Sequence, residues 1–237
     1  MQSTIQDFFS EGQVLLIDKP LEWTSHDVVA KIRNAIKIKK VGHAGTLDPL
    51  ATGLLILCTG KYTKRINEYM SQIKEYTGTI TLGAETPTYD LESTPHHFKD
   101  IDFLTKSLVE KAVENFTGEI DQIPPKHSAV KQKGKPVYLM ARKGKDVVLE
   151  PRKVHIQVFE IISFEKKEHL CEVSFRVVCS TGTYIRSLAH DLGQHLGCGG
   201  YLSALRRTRI GDYSVEQAKT VEATLEWIKQ MAARTDS

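Results

Sequence analysis

Gly42-His43-Ala44-Gly45-Thr46-Leu47-Asp48-Pro49-Leu50-Ala51-Thr52-Gly53, followed at once by Leu54-Leu55-Ile56-Leu57, joins a turn-rich loop to an apolar strand. Glycine opens backbone conformations that other residues resist, while Pro49 fixes its own φ and steers Asp48 away from the helical region. The segment therefore predicts a tightly shaped loop that delivers one carboxylate, Asp48, to a strand edge. An aspartate between glycine and proline commonly does no more than close a turn through its own backbone. The residues on either side decide whether this one does more.

Upstream, Val14-Leu15-Leu16-Ile17 predicts a short strand ending at Asp18-Lys19-Pro20. Ser25 is the expected cap of a helix whose apolar stripe is Val28, Val29, Ile32, Ala35 and Ile36, with Asp27 near its start and Lys37 near its end as the macrodipole favours. Downstream come a strand over Leu54 to Cys58, a short helix near Tyr62 to Met70, and a strand from Glu75 to Leu82. Residues 83 to 100 carry Pro87 and Pro95 and read as a loop. Thr105 caps a second helix closed by Gly118. Val154, Ile156 and Val158 alternate as a strand, and Cys171, Val173, Phe175, Val177 and Cys179 share one phase of an antiparallel partner. A third helix runs from about Thr183 to Leu196 with Gly197 at its end, and Val221, Leu225 and Ile228 mark a last one. Strands and helices without strict βαβ alternation predict an α/β (α+β) fold with a central mixed, mostly antiparallel sheet flanked by helices and loops.

The 237 residues, 41% apolar and 26% charged, suit an ordinary globular chain. No apolar run reaches bilayer length and the N-terminus lacks a signal pattern, so a cytoplasmic protein with no membrane partner is expected. Four cysteines without CxxC spacing argue against zinc, and no metal site is expected. Net charge is only +3, but basic residues cluster at Lys37, Lys39 and Lys40; at Lys131, Lys133 and Lys135; at Arg142, Lys143 and Lys145; at Arg152 and Lys153; and at Arg206, Arg207 and Arg209. Together they would suit a polyanion lying across the surface. With no repeat or linker, one domain over residues 1–237 with a short C-terminal helical extension is the simplest expectation.

Three further segments carry chemistry. Lys74-Glu75-Tyr76 opens a strand with a phenol. Ser180-Thr181-Gly182-Thr183-Tyr184-Ile185-Arg186 turns through a glycine into a helix. Gly197-Cys198-Gly199-Gly200-Tyr201 leads toward Leu205-Arg206-Arg207. With the Asp48 loop, Leu15-Leu16-Ile17-Asp18-Lys19-Pro20, Ile123-Pro124-Pro125-Lys126-His127-Ser128-Ala129-Val130-Lys131 and Tyr138-Leu139-Met140-Ala141-Arg142-Lys143-Gly144, they closely resemble the TruB family of tRNA pseudouridine synthases across nearly the whole chain.

The resemblance implies the pseudouridine-synthase fold and isomerisation of the T-loop uridine at position 55 of tRNA, by base flipping and without a cofactor. It implies Asp48 as the catalytic carboxylate, acting on either the uracil ring or the ribose, and Arg186 as the guanidinium that favours its charged form. Tyr76 would lie against the target base and serve the carbon-5 proton step. Tyr184 and Leu205 would line the same pocket, and His43 would enter the space vacated by the flipped base. Lys19 and Lys64 match family-like positions, with structural support and phosphate contact both open. The clusters at 131 to 145 and 206 to 209 would meet phosphates of the T-arm. The resemblance further implies a stand-alone monomer without an obligatory protein partner. Bacterial members commonly continue into a C-terminal PUA-type domain, which this chain, stopping soon after its last helix, is expected to lack. Two rivals stand beside it. One is a non-catalytic RNA-folding protein. The other is a glycosidase, which would require a second carboxylate such as Glu85 or Asp90.

Overall fold

The computed structural model describes residues 4–126, 131–132, 135–136 and 149–235. In chain order the elements are α1 (Ile5–Glu11), β1 (Val14–Lys19), α2 (Ser25–Ile36), β2 (Val41–His43), β3 (Ala51–Thr59), α3 (Ile66–Met70), β4 (Lys74–Leu82), α4 (Lys106–Val113), β5 (Gly118–Gln122), β6 (Lys131–Gln132), β7 (Lys135–Pro136), β8 (Arg152–Lys166), β9 (Cys171–Cys179), α5 (Ile185–His195), β10 (Gly200–Ile210), β11 (Tyr213–Ser214), β12 (Lys219–Thr220) and α6 (Val221–Thr235). They fall into two compact units, one running through Tyr76 and resuming at Arg206, the other spanning Thr77–Leu205.

In the first unit β3 is the spine. It pairs antiparallel with β1 from Val14↔Cys58 to Lys19↔Gly53, and with β2 from Val41↔Thr59 to His43↔Leu57. The far edge of β1 takes β12 in parallel at Ile17↔Lys219 and Asp18↔Thr220. The run Leu54–Cys58 reads as continuously apolar because β3 is covered on both faces. Leu55 and Leu57 face Val28, Ile32 and Ile36 of α2 with Val221 and Ile228 of α6, while Leu54, Ile56 and Cys58 face Ala44, Tyr69 and Ile210. Of the expected stripe of α2, Val28, Val29, Ile32 and Ile36 are buried and Ala35 is half-buried.

Its cap is Thr24 rather than Ser25. Thr24 accepts from the Asp27 amide while Asp27 accepts from Thr24, a reciprocal capping box. That frees the Ser25 hydroxyl, at the first helical position, for another use. Helix α1 has the same device at Thr4 and Asp7, and its Phe9 is fully buried. Nothing in the sequence pattern points to this helix, because seven residues with one deep anchor carry too little periodicity.

In the second unit β9 pairs antiparallel with β8, and β8 with β5 from Gly118↔Ile156 to Gln122↔Arg152. Cys171, Val173, Phe175, Val177 and Cys179 are all fully buried, as their shared phase predicts. Burial pushes the Cys171 thiol up to about 11, so it is a packing group. Residues 83–100 form the expected loop, stapled by a Glu85↔His96 bridge. Thr105 caps α4 through the Leu108 amide. Among the described residues no helix is long and apolar enough to cross a membrane.

Candidate active site

Asp48 sits half-buried in the seven-residue link between β2 and β3. Backbone bonds shape this link from within: the Ala44 amide donates to the Ile56 carbonyl at 2.9 Å and the Ala51 amide to the Asp48 carbonyl at 3.0 Å. Gly45 takes φ +95°, a conformation closed to most side chains.

Three side chains from distant elements then hold the link from outside. From α2, the Ser25 hydroxyl accepts from the Leu47 amide at 2.9 Å and donates to the Leu47 carbonyl at 3.2 Å. From the end of β1, the Lys19 amine donates to the carbonyls of Pro20, Trp23 and Pro49 at 2.8, 2.5 and 3.3 Å. From β10, Arg207 donates through Nε to the Leu54 carbonyl at 2.8 Å and through Nη2 to the Gly45 carbonyl at 3.1 Å. The residues before, beside and after Asp48 are thus each fixed by a charged or polar group.

Lys19 and Arg207 are buried, with 0% and 1% exposure. Burial pushes the Lys19 amine down to about 8; Asp48 opposes that shift, Arg207 adds to it and Asp27 opposes it. The three carbonyl bonds of Lys19 are those of a structural support. Lys64 lies exposed on the turn Gly60–Arg65. His43 ends β2, and its Nδ1 is buried with no hydrogen-bond partner among the described residues. Burial, and next the Arg207 charge, lower its pKa and favour the neutral imidazole. Tyr76 is 7% exposed on β4. The strand start is fixed by Lys74, whose amine donates to the Met70 and Gln72 carbonyls at 2.6 and 2.7 Å, and by Glu75, which accepts from the Thr208 hydroxyl at 2.8 Å.

The second unit holds Arg186, Tyr184 and Leu205. Arg186 lies in the first turn of α5 and is 4% exposed, where an isolated first-turn arginine would be solvated. Its Nη1 donates to the Thr88 carbonyl at 3.3 Å and lies 3.7 Å from the equally buried Asp90 carboxylate. Asp90 is therefore the partner of a guanidinium. Tyr184 is the half-buried N-cap residue of α5, and Gln122 at the end of β5 grips its backbone twice, accepting from its amide at 2.8 Å and donating to its carbonyl at 3.0 Å. Ser187 adds a bond to the Ile123 carbonyl at 2.7 Å. Leu205 is half-buried on β10.

The basic cluster at 206 to 209 divides into three different settings. Arg207 is consumed inside the protein, and Arg206 makes a two-pronged pair with Asp18 at 3.0 and 2.7 Å, leaving Arg209 exposed. Lys153 pairs with Glu119 at 2.8 Å. The side chains of the clusters from Lys131 to Lys145 lie outside the described residues, as does the whole of the family-like stretch from Tyr138 to Gly144. The part played by Ser25 and Arg207 was not legible in the sequence, since each acts on a segment far away along the chain, and Asp90 was legible only as an available acid. Among the described residues no three His, Cys, Asp or Glu side chains gather as a metal centre requires.

A family model described as the TruB family pseudouridylate synthase N-terminal domain matches residues 33–185, and one for the tRNA pseudouridylate synthase B C-terminal domain matches residues 186–236. Proteins named tRNA pseudouridine synthase B from Phocaeicola vulgatus and Flavobacterium johnsoniae are 49% and 50% identical to the chain. The alignments cover 94% and 89% of it, and 95% and 93% of those proteins. The fold also matches a chain in the crystal structure of a Cbf5-Nop10-Gar1 complex, with a TM-score of 0.71 and 30% identity over 98% of this chain and 61% of that one. The chain thus spans about three-fifths of the length of that structural neighbour. With both family models lying end to end over residues 33–236, the chain belongs to the TruB family of pseudouridylate synthases.

Proposed function

We propose that this chain converts the T-loop uridine at position 55 of tRNA to pseudouridine, with Asp48 as its essential carboxylate. Its family and its relatives make it a tRNA pseudouridine synthase, an isomerase. The reaction breaks the bond between ribose C1′ and uracil N1, turns the base, and joins C1′ to C5. The proton on C5 is lost and one is gained at N1, so neither oxidant nor water is consumed.

The observation that carries the assignment of Asp48 is the triple grip of Lys19, Ser25 and Arg207 on its loop. A carboxylate that must meet one carbon atom in one orientation needs a support that does not yield, and fixing the reacting group before substrate arrives lowers the barrier. The target base is stacked in the folded T-loop and must be extruded, at a cost of a few kcal/mol. The neutral ring of His43 suits insertion into the space left behind, because an uncharged imidazole stacks with little desolvation cost. Tyr76 is assigned to the face of the base and the C5 proton, Arg186 to the catalytic set, and Tyr184 and Leu205 to the lining of the base pocket. Arg186 is well suited by its burial against Asp90, which holds the guanidinium in one orientation. The enzyme is proposed to work as a monomer in the cytoplasm, without a protein partner or a cofactor.

Purified protein alone, incubated with an unmodified tRNA transcript, is expected to form pseudouridine at the T-loop uridine. Asp48→Asn is expected to bind the same transcript and form none, read by single-nucleotide mapping beside a binding assay. Wild-type protein that binds and folds the tRNA without isomerising it would instead establish an RNA-folding function.

A further inference from the structure

Two groups that Arg186 meets, the Thr88 carbonyl and the Asp90 carboxylate, belong to one three-residue segment. Between them Tyr89 takes φ +64°, a left-handed backbone that a bulky side chain resists. That torsion sets the direction of the carbonyl before it relative to the carboxylate after it. This part of the coordination of Arg186 therefore depends on a turn that its own sequence disfavours, and something must hold it.

The Tyr89 ring stacks on the ring of His190, with centroids 3.9 Å apart and planes within 10°. His190 lies four residues after Arg186 on α5, so the two side chains share one helix face. A single helix turn thus offers the guanidinium to residues 88 and 90 and a flat ring to residue 89. The backbone of the turn is tied as well. The Tyr89 carbonyl accepts from the Leu202 amide at 2.9 Å, and the Thr88 hydroxyl bonds to Ser93 at 2.6 Å.

His190 makes no hydrogen bond through Nδ1, which is buried without a partner among the described residues. What the ring offers Tyr89 is its face. Burial holds the imidazole toward its neutral form, with Glu85 opposing and Lys99 assisting.

We propose that Tyr89 and His190 are positioning residues whose stack holds the left-handed turn at residue 89, and through it the Thr88 and Asp90 oxygens, on Arg186. This rests on the reading above that Arg186 serves pseudouridine formation. Neither residue touches the substrate in this scheme; both act through Arg186.

The test compares wild type, His190→Ala, His190→Leu, His190→Phe and Arg186→Lys with an unmodified tRNA transcript, at a temperature where circular dichroism shows each folded. Loss of the stack is expected to lower kcat about tenfold or more, with KM within about twofold. His190→Leu, which keeps the volume but not the flat ring, is expected to behave as His190→Ala. His190→Phe is expected to restore kcat to within about twofold of wild type, since it keeps the ring face. A folded His190→Leu or His190→Ala with wild-type kcat, beside an impaired Arg186→Lys, would overturn the positioning role and leave the functional reading of Arg186 intact. Equal losses in His190→Phe and His190→Ala would overturn the stack as the cause. Full activity in Arg186→Lys would remove the functional reading of Arg186, and the proposal with it.

Discussion

Lys19 is a lysine used against type. With no exposed surface it spends its amine on three carbonyls, one of them the neighbour of Asp48. Lys19→Met removes the donor and strands those oxygens, so it is expected to destabilise the fold at pH 7 by about 1–3 kcal/mol, read from urea denaturation, and to lower kcat. The titration of the amine gives that experiment a second axis. Its pKa lies at about 8 in the folded protein and near 10.5 when free. Between those values the unfolded chain binds more protons than the native one, so this group makes the native state gain stability as pH rises. The stability of wild type relative to Lys19→Met should therefore increase from pH 8 toward 10.5. A flat difference would mean that the amine is not desolvated as the structure has it. The Asp-Pro loop itself could be read in the sequence because glycine and proline act locally. Its supports could not, since Ser25 and Lys19 reach it across 22 and 30 residues.

Among the elements, β3 and β9 follow their sequence patterns closely because each is governed by one rule, apolar on both faces or on alternate residues. The start of α2 turns on a box rather than on a single residue. Thr24 and Ser25 are both good caps, but only Thr24 has an acceptor three residues on, Asp27, and this leaves Ser25 for Leu47. Gly53 makes a related point inside a strand. It sits in β3 at φ +100°, and a Cβ there would stand 2.3 Å from the Arg207 carbonyl oxygen. Gly53→Ala forces both a strained torsion and a backbone displacement at the residue that grips Gly45. It should cost about 2 kcal/mol or more and reduce turnover more than tRNA binding. Denaturation midpoints and a separate measurement of kcat and KM check it. Asp90 was visible in the sequence as an available acid, yet its pairing with Arg186 depends on a left-handed turn that no local pattern announces.

For the molecule as a whole, net charge is a poor guide to where a polyanion would lie. Two of the three arginines at 206 to 209 serve the protein interior or an ion pair. Affinity for tRNA should then draw more heavily on the lysines and arginine between Lys131 and Lys145, whose charges are evident in the sequence. Replacing Arg142, Lys143 and Lys145 by glutamine is expected to flatten the dependence of log affinity on log salt by about two to three while leaving the maximal rate unchanged. Filter binding across a salt series beside saturating turnover measures both. The boundaries between the two units escaped the sequence because both fall within strands, β4 and β10, and leave no linker composition to notice.

The bond from Arg207 to Gly45 closes a loop of 162 residues. On a ribosome adding about 5–20 residues per second, Asp48 emerges many seconds before the side chain that fixes its neighbour. Strands β1, β2 and β3 can pair in the meantime, and Ser25 and Lys19 can take hold, but the third support of the loop waits for β10. A chain interrupted before Arg207 would therefore carry Asp48 on an unfinished support, and if Asp48 acts as proposed, turnover would begin only once translation has passed Arg207.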